Sequence, residues 1–341
     1  MRIERDIPLA PLTTLKVGGS ADYFCAIESS RECAEAVRFA HECHLPFFVL
    51  GGGSNVLVSD IGFRGLVIKM DIRGIEADEN ADVVRARVGA GETWDDFVAW
   101  SVERGLYGVE NLSGIPGSVG GTPVQNVGAY GADVSSRIDR VETVNASSGE
   151  EVVFDTAACR FGYRDSFFKT EEGRKYIITH VVFRLSRIGE TNMSYRDVAE
   201  YFLRSSTPPT VAEMRVAILA IRARKFPDLS RFGTAGSFFK NPLVPPQQYD
   251  ALRRRFPAMP AYDSPDGRKK IPAGWLIEHV GGWRGVEKDH VASFANQALV
   301  LVNTGGATAR SMSAFAETIR KDIAEKTGIV LENEVQRVGD F

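Results

Sequence analysis

The sequence predicts an α+β protein with mixed sheets and does not favour a doubly wound parallel sheet. Strand-like runs follow one another at residues 141–144, 152–154 and 177–185, with no βαβ repeat of even period. Near residue 50, a strand-like run and a glycine loop lead into another strand-like run, where a parallel α/β unit would have a helix. The chain has 341 residues, 44% of them apolar. That length is enough for roughly two or three domains.

Charge and composition argue against several classes of partner. The formal net charge is −3 and no cluster of Lys and Arg dominates, so nucleic acid is not expected as the main partner. No apolar run is long enough for a transmembrane helix and no signal peptide is evident, so we expect a soluble, cytoplasmic protein with no membrane partner. The four cysteines form no CxxC pair and no metal-like pattern with His, so free thiols and no metal are expected.

Capping residues and the helical spacing of apolar residues predict several helices. Ser29, Thr93 and Thr210 are each followed three positions later by an acidic residue, which is typical of a helix start. A further helix is expected over residues 307–326, ending at Gly328, and a short one over residues 271–280. The apolar face of the helix after Ser29 consists of Cys33, Ala36, Val37 and Ala40.

Further strands are predicted along the whole chain. They lie at residues 21–27, 47–50, 56–58, 66–68, 83–88, 298–302 and 329–338. Alternation in the last of them places Glu332, Glu334 and Gln336 on one face. This face is either an exposed edge or one wall of a cleft, and the pattern does not decide between them.

The first glycine turn, residues 51–55, has the sequence GGGSN. It is not a Rossmann fingerprint, because that motif must open a helix and this turn leads into another strand-like run. Its amides can bind phosphate as a backbone nest, and the alternative is a plain tight turn. Three glycines followed by Ser and Asn exceed what a turn requires, so the sequence favours ligand binding.

The second glycine stretch, residues 114–131, contains six glycines, two prolines and no charged residue. Such a segment makes a poor helix and a poor strand. Glycine permits positive φ and lets main-chain N–H groups touch a ligand, so an anion here would be held mainly by amides. A buried crossing of tight turns and a ligand cradle explain this composition equally well.

Three other clusters are candidates for chemistry. Arg164 lies in the run CRFGYRDS at residues 159–166 and can clamp a carboxylate, or else form a surface pair with Asp165. The end of the helix after Thr210 carries cations that either complement the helix dipole or bind a diphosphate. The two aromatics of the run GSFFKNP at residues 236–242 suggest the edge of a site, which is not a GxSxG elbow.

These pieces occur in an order that resembles one family. The order is TTLKVGG at 13–19, the first glycine turn, GIPG at 114–117, QNVGAYG at 125–131, FGYRDS at 161–166, GSFFKNP at 236–242 and Glu334 with Val335. The chain resembles the UDP-N-acetylenolpyruvoylglucosamine reductases, flavoenzymes of bacterial peptidoglycan synthesis, from end to end. The resemblance implies non-covalent FAD, NADPH as co-substrate, small-molecule substrates and a monomer.

The resemblance also implies a domain plan. Two α+β subdomains would bind FAD in the manner of vanillyl-alcohol-oxidase flavoproteins: residues 1–66, joined by residues 328–341, and residues 67–218. Residues 219–327 would form a C-terminal α+β domain that binds substrate. Tyr195 would belong to the substrate loop of the longer subtype.

Roles for individual residues follow from the same resemblance. Arg164 would hold the substrate carboxylate, Ser237 would donate a proton to C2, and Glu334, favoured over Glu332, would polarise the enolic carboxylate. The implied FAD contacts are Gly51, Gly52, Gly53, Ser54, Asn55, Gly114, Ile115, Pro116, Gly117, Gly121, Asn126, Gly128 and Ala129. The implied substrate contacts are Tyr130, Tyr163, Tyr195, Arg222, Lys225, Asn241 and Gln297. The alternatives are a sugar or alcohol oxidase on the same flavin fold and a non-catalytic nucleotide-sugar binding protein.

Overall fold

The computed structural model describes residues 1–78 and 82–341, which divide into two compact units. Unit 1 consists of Met1–Ile7, Ala21–Gly53 and Phe63–Ala223. Unit 2 consists of Pro8–Ser20, Ser54–Gly62 and Arg224–Phe341. The division into three domains is a finer one and stays a prediction.

Several of the described helices begin or end next to a predicted capping residue, and others were not predicted. They are α1 Ser30–Glu42, α2 Trp94–Glu103, α3 Gly121–Gln125, α4 Arg196–Tyr201, α5 Val211–Lys225, α6 Pro246–Arg255, α7 Ala273–Trp275, continued by a π-helical turn Leu276–Val280, and α8 Ala309–Thr327. Ser29 caps α1, since its Oγ accepts a hydrogen bond from Glu32 N at 3.2 Å. The four residues of the predicted apolar face of α1 are all buried. Thr210 caps α5 in the same way, and Gly328 ends α8 with φ +71°.

The strands within residues 1–78 and 82–341 form six sheets. They are β1 Glu4–Pro8, β2 Ser20–Ile27, β3 Phe47–Leu50, β4 Val56–Val58, β5 Phe63–Met70, β6 Ile75–Ala77, β7 Val83–Gly89, β8 Gly128–Ala129, β9 Ala132–Asp133, β10 Ile138–Asn145, β11 Glu151–Asp155, β12 Tyr176–Ser186, β13 Gly233–Ser237, β14 Leu243–Val244, β15 Tyr262–Asp263, β16 Lys269–Lys270, β17 Glu287–Lys288, β18 Val291–Phe294, β19 Gln297–Asn303 and β20 Gln336–Val338. Parallel and antiparallel pairs are both present among the described strands, in agreement with the α+β class, although the pairs described within each sheet are all of one kind.

Unit 1 contains two large sheets. In the first, with strand order β1-β2-β5-β3, strand β5 pairs in parallel with both β2 and β3. Leu66, Val67 and Ile68 of β5 are consequently all buried, as the unbroken apolar run indicates. The second sheet, β11-β10-β12-β7-β6, is antiparallel. Helix α2 contributes Phe97 to the core, with its ring centroid 4.7 Å from that of Phe183.

Unit 2 is built around the antiparallel sheet β13-β19-β18-β17 and helix α8. The apolar face of α8 is buried at Met312, Phe315, Ile319 and Ile323, as its helical spacing predicts. Strand β4, which follows the first glycine turn, pairs in parallel with β20 near the end of the chain. The turn is therefore flanked by strands of two different sheets, β3 and β4.

Several predictions about local structure are wrong. The strand expected over residues 329–338 shrinks to β20, because a single bridge between Phe239 and Asn333 replaces a continuous ladder before it. Alternation alone therefore does not define a face there. Thr93 occupies the N-cap position of α2, but its side chain makes no capping hydrogen bond. The second glycine stretch does form a helix of one turn, α3.

No described helix is long and apolar enough to cross a membrane. Within residues 1–78 and 82–341, no group of three or more His, Cys, Asp or Glu is arranged to hold a metal ion. The cysteines are free, and burial raises the pKa of the Cys25, Cys33 and Cys159 thiols to about 12. These three thiols are therefore protonated core residues.

Candidate active site

In unit 1, the first glycine turn and the second glycine stretch touch each other. Gly52 N donates a hydrogen bond to Ser118 Oγ at 3.2 Å. A Cβ on Gly51 would lie 2.5 Å from Ser118 Oγ, and one on Gly52 would lie 2.6 Å from Gly117 Cα. At Gly52 the clash is with backbone, so glycine is required there, whereas at Gly51 a rotation of the Ser118 side chain would relieve the contact. The two segments therefore meet backbone to backbone at Gly52 and Gly117.

A lysine that the sequence reasoning missed contacts the first glycine turn. Lys69 lies in β5, is half-buried, and its Nζ donates a hydrogen bond to the carbonyl oxygen of Gly51. Burial lowers the pKa of the Lys69 ammonium. The signal in the sequence was a single lysine within the otherwise apolar run LVIKM at residues 66–70, since buried lysines are rare unless paired.

The start of the second glycine stretch is tied to α5 through Asp95. Gly114, with φ +70°, donates its N–H to Asp95 Oδ1 at 2.5 Å. Both carboxylate oxygens of Asp95 accept hydrogen bonds from Arg215, at 2.6 and 2.9 Å. Burial opposes ionisation of Asp95, but the hydrogen bonds from Arg215 and Gly114 outweigh it and lower the pKa of the carboxyl. Sequence reasoning also missed this pair, because its members are 120 residues apart.

Arg164 is held against the second glycine stretch. Its Nη2 donates to the carbonyl oxygen of Gly128 at 2.6 Å and its Nη1 to that of Asn126 at 3.4 Å. Lys169 Nζ donates to the carbonyl oxygen of Arg164 at 2.5 Å, and Arg164 itself has φ +52°. The neighbouring carboxylate of Asp165 accepts from Ser166 N at 3.0 Å. The guanidinium is thus oriented by backbone carbonyls of the second glycine stretch.

Asn126 ends helix α3 and joins three segments of unit 1. It has a left-handed conformation, with φ 41°. Its Nδ2 donates to the carbonyl oxygen of Gly162 at 2.9 Å, and its Oδ1 accepts from Ser135 N at 3.2 Å. The side chain therefore fixes the second glycine stretch to the loop that carries Arg164.

Four of the predicted substrate contacts lie in unit 1. Tyr130 is buried, with φ 50°, and its ring meets that of Tyr195 edge-to-face at 5.3 Å between centroids. Arg222 of α5 makes a side-chain hydrogen bond with Tyr130. The guanidinium of Arg164 lies 5.8 Å from the ring centroid of Tyr163, which is partly exposed. Tyr130, Tyr195 and Arg222 therefore form one cluster.

In unit 2, the segment that carries Ser237 lies beside the one that carries Glu334. Ser237 ends β13 and follows Gly236, which has φ +74°. Glu334 N donates to the carbonyl oxygen of Phe238 at 2.9 Å. Asn55, which belongs to unit 2, holds the same segment, since its Nδ2 donates to the carbonyl oxygen of Glu334 at 3.1 Å.

The two aromatics of this segment lie in the core, and whether the segment forms the edge of a site stays a prediction. Phe238 and Phe239 are 3% and 1% exposed and pack in the core of unit 2, edge-to-face at 5.3 Å between ring centroids. Both rings are apolar, and burying their surface within the core stabilises the unit. Burial of these rings anchors the backbone of Ser237 on one side and Lys240 on the other.

The two nearby glutamates differ in environment. Glu332 has a side chain that is 73% exposed and pairs with Lys240 Nζ at 3.2 Å. Glu334 is half-buried. Only Glu334 lies where its backbone is fixed by both Asn55 and Phe238.

The remaining predicted contacts belong to unit 2. Asn241 Oδ1 accepts a hydrogen bond from Ala273 N at the start of α7, at 2.8 Å. Gln297 begins β19, and a Cβ on Gly274 would lie 2.8 Å from its Oε1. Lys225 is the last residue of α5, and the carbonyl oxygen of the preceding Arg224 accepts from Asn296 Nδ2 at 2.9 Å. The segments bearing Asn241 and Gln297 thus both reach α7.

Comparisons with known proteins match both parts of the chain. Residues 21–155 match an FAD binding domain, and residues 228–338 match the C-terminal domain of UDP-N-acetylenolpyruvoylglucosamine reductase. The reductase of that name from Paraburkholderia phytofirmans is 42% identical over 331 residues, covering 96% of this chain and 95% of its own. The one from Pseudomonas aeruginosa is 42% identical over 337 residues, covering 98% of each.

A solved structure agrees with the sequence matches. The crystal structure of UDP-N-acetylenolpyruvylglucosamine reductase from Thermus caldophilus superposes with a TM-score of 0.69 at 25% identity and covers 99% of both chains. The predicted fold class, an α+β FAD-binding fold followed by a C-terminal α+β domain, is thereby confirmed.

Proposed function

The chain belongs to the UDP-N-acetylenolpyruvoylglucosamine reductase family, as the sequence predicts, and is an FAD-binding oxidoreductase; on this premise we propose that it reduces UDP-N-acetylglucosamine enolpyruvate to UDP-N-acetylmuramate with NADPH. The observation that carries the proposal is the end-to-end match to reductases of that name. A cytoplasmic monomer acting on small molecules is part of the same proposal.

The two glycine segments of unit 1 fit the cofactor. The backbones of the two segments meet directly where a Cβ on Gly52 would collide with Gly117, and Gly52 N donates to Ser118 Oγ. Bare glycine backbone of this kind can present its other amides to an anion. We assign the FAD contacts named above to these segments. When bound, FAD would supply the hydride-transfer chemistry between NADPH and C3 of the enolpyruvyl group.

Arg164 would bind the substrate carboxylate. Negative charge that develops at C2 spreads into this carboxylate, so a permanent cation of fixed orientation lowers the barrier. The bonds from Arg164 to the carbonyl oxygens of Gly128 and Asn126 support this role, because they fix the plane of the guanidinium.

Ser237 would hold the proton that C2 receives. A serine hydroxyl is a weak acid, so proton transfer requires assistance from a neighbouring group. Glu334 would polarise the enolic carboxylate from the adjoining segment. The environments of the two glutamates support Glu334, since the side chain of Glu332 is 73% exposed whereas Glu334 is half-buried.

The seven substrate contacts named above would hold the UDP-sugar. In unit 1, Tyr130 and Tyr195 present an aromatic pair, and Arg222 adds a cation beside it. In unit 2, Asn241 and Gln297 flank the start of α7. Because NADPH and the sugar would use one pocket in turn, ping-pong kinetics are expected.

The test is turnover by the purified full chain. A yellow protein that consumes NADPH in proportion to added UDP-N-acetylglucosamine enolpyruvate, with a product heavier by two hydrogens, supports the proposal. Consumption that depends on oxygen and ignores the enolpyruvyl group would instead identify an oxidase. A colourless protein that binds the sugar without turnover would identify a binding protein.

A further inference from the structure

Lys69 lies beside the residues at which strand β3 ends and the first glycine turn begins. In the parallel pairing of β3 with β5, Lys69 is the register partner of Leu50, the last residue of β3. Its Nζ donates to the carbonyl oxygen of Gly51, the next residue along. The side chain therefore contacts the turn at its first peptide.

The peptide between Gly51 and Gly52 is held from both sides. In a planar trans peptide the carbonyl oxygen and the following N–H point in opposite directions. Lys69 Nζ donates a hydrogen bond to the Gly51 carbonyl oxygen, while Gly52 N donates one to Ser118 Oγ at 3.2 Å. Lys69 thus helps to fix the direction in which the amides of the turn point.

Lys69 also brings a charge to a surface that has none of its own. Residues 51–55 and 114–131 contain no Lys, Arg, Asp or Glu. Among the described residues, Lys69 forms no ion pair within 4 Å, and the nearby carboxylate of Asp71 pairs with Arg73 at 2.7 Å. A half-buried ammonium whose described partner is a carbonyl has charge available for an anion, and burial reduces its screening by salt.

We propose that Lys69 is a positioning residue of the cofactor site, which orients the first glycine turn and stabilises the diphosphate of FAD by its charge. The inference rests on the proposed assignment of the two glycine segments to FAD. If Lys69 has this role, its replacement weakens binding of the diphosphate. This effect can be measured separately from the stability of the fold and from the rate of turnover.

The experiment compares three full-length variants. Lys69→Met removes the charge at similar size, Lys69→Arg keeps it, and Lys175→Met removes an equal charge at an exposed site of unit 1. Dissociation constants are measured by flavin fluorescence on protein stripped of flavin, with FAD and with riboflavin, which lacks the diphosphate. Circular dichroism and thermal unfolding establish that each variant is folded.

We expect Lys69→Met to weaken FAD binding by about tenfold or more and riboflavin binding by less than about twofold, since a hydrogen bond to a charged group contributes this much. Lys69→Arg should recover most of the FAD affinity, and Lys175→Met should match the wild type.

Equal losses for FAD and riboflavin in Lys69→Met, or unchanged FAD affinity, would overturn the proposal. A fourth variant, Gly52→Ala, shows whether such a result means that Lys69 has no role or that the glycine segments do not bind FAD. If Gly52→Ala also binds FAD normally, the cofactor site lies elsewhere. If only Lys69→Met binds normally, the site is correct and the lysine has no role in it. Neither result depends on reduction of the enolpyruvyl substrate.

Discussion

Asp95 accepts a bidentate pair of hydrogen bonds from Arg215, at 2.6 and 2.9 Å, and a third hydrogen bond from Gly114 N at 2.5 Å. One carboxylate thus joins α2, α5 and the start of the second glycine stretch. Helix α5 also carries Arg222, whose Cδ would lie 3.2 Å from a Cβ on Gly114. The geometry of this part of the site therefore depends on a residue that contacts neither ligand in the proposed mechanism.

Replacement of Asp95 should destabilise unit 1. Asp95→Ala leaves the guanidinium of Arg215, whose side chain is 18% exposed, without its carboxylate. We expect a loss of about 2 kcal/mol, measured as a fall of a few degrees in Tm. Arg31→Ala is the matched control, since Arg31 is 88% exposed in its pair with Glu35 and should matter by less than about 0.5 kcal/mol. Equal Tm changes for the two variants would contradict the account.

The effect of Asp95 should depend on pH. Its pKa is lowered below the ordinary value of 3.8 by the hydrogen bonds from Arg215 and Gly114, which outweigh burial. The stabilisation is therefore complete above that ordinary value and is lost as the pH falls through the lowered pKa. The difference in Tm between the wild type and Asp95→Ala should be constant from about pH 7 to pH 5 and shrink below about pH 4. A difference that grows on acidification would refute this assignment.

Gly52→Ala should reduce FAD binding through a steric clash alone. The new Cβ would lie 2.6 Å from Gly117 Cα, and overpacking of this kind costs about 1–3 kcal/mol. We expect FAD to bind about tenfold to a hundredfold more weakly. Gly105→Ala is the control for backbone strain, because Gly105 has φ +66° and nothing within 4 Å of a Cβ. That variant should lose stability and keep its FAD, as the ratio of flavin to protein absorbance will reveal.

Arg164→Lys should separate the two half-reactions. Lysine keeps the charge and loses the planar fork that matches a carboxylate. In rapid-mixing experiments, we expect reduction of the flavin by NADPH within about threefold of wild type. Reoxidation by the enolpyruvyl substrate should slow by about a hundredfold or more. Normal reoxidation would exclude Arg164 from the role given to it here.

The two glutamates provide a matched pair. Glu334→Gln should slow reoxidation by about a hundredfold, because the charge and the proton-holding capacity of the carboxyl are lost at similar size. Glu332→Gln breaks only an exposed pair with Lys240 and should change neither the rates nor the stability appreciably. If the effects were reversed, Glu332 would be the acting residue.

The sequence predicted the regular elements well and the contacts between distant residues poorly. In α1 and α8, the apolar residues at helical spacing are buried, as predicted. Helical spacing is a local property of the sequence, so it can be recognised without knowledge of distant contacts. The prediction of a strand at residues 329–335 failed, because an alternating pattern of apolar residues does not show whether a partner strand is present. The motifs single out the glycine segments, Arg164, Ser237 and Glu334 as candidates, and their roles stay predictions.

Other features required the folded chain. The contact of Lys69 with Gly51 depends on the register of β3 and β5, and the contact of Asp95 with Arg215 spans 120 residues. Neither can be inferred from one sequence without a structure. The burial of Phe238 and Phe239 in the core is a further feature that the run of mixed aromatic and polar residues does not reveal.

Ser237→Ala should leave the first half-reaction intact and impair the second. Loss of the proton donor at C2 is expected to slow reoxidation of the flavin by the enolpyruvyl substrate by about a hundredfold to ten-thousandfold. NADPH should still reduce the flavin at a near-normal rate. If both half-reactions survive, another group donates the proton.

The central claim is that this chain passes a hydride from NADPH through FAD to an enolpyruvyl group. Anaerobic rapid mixing of the wild-type protein tests it most directly, with flavin absorbance followed first on addition of NADPH and then on addition of UDP-N-acetylglucosamine enolpyruvate. The account predicts that NADPH bleaches the flavin and that one equivalent of the enolpyruvyl substrate restores its absorbance. A flavin that is reduced by NADPH but remains reduced after the substrate is added would contradict it.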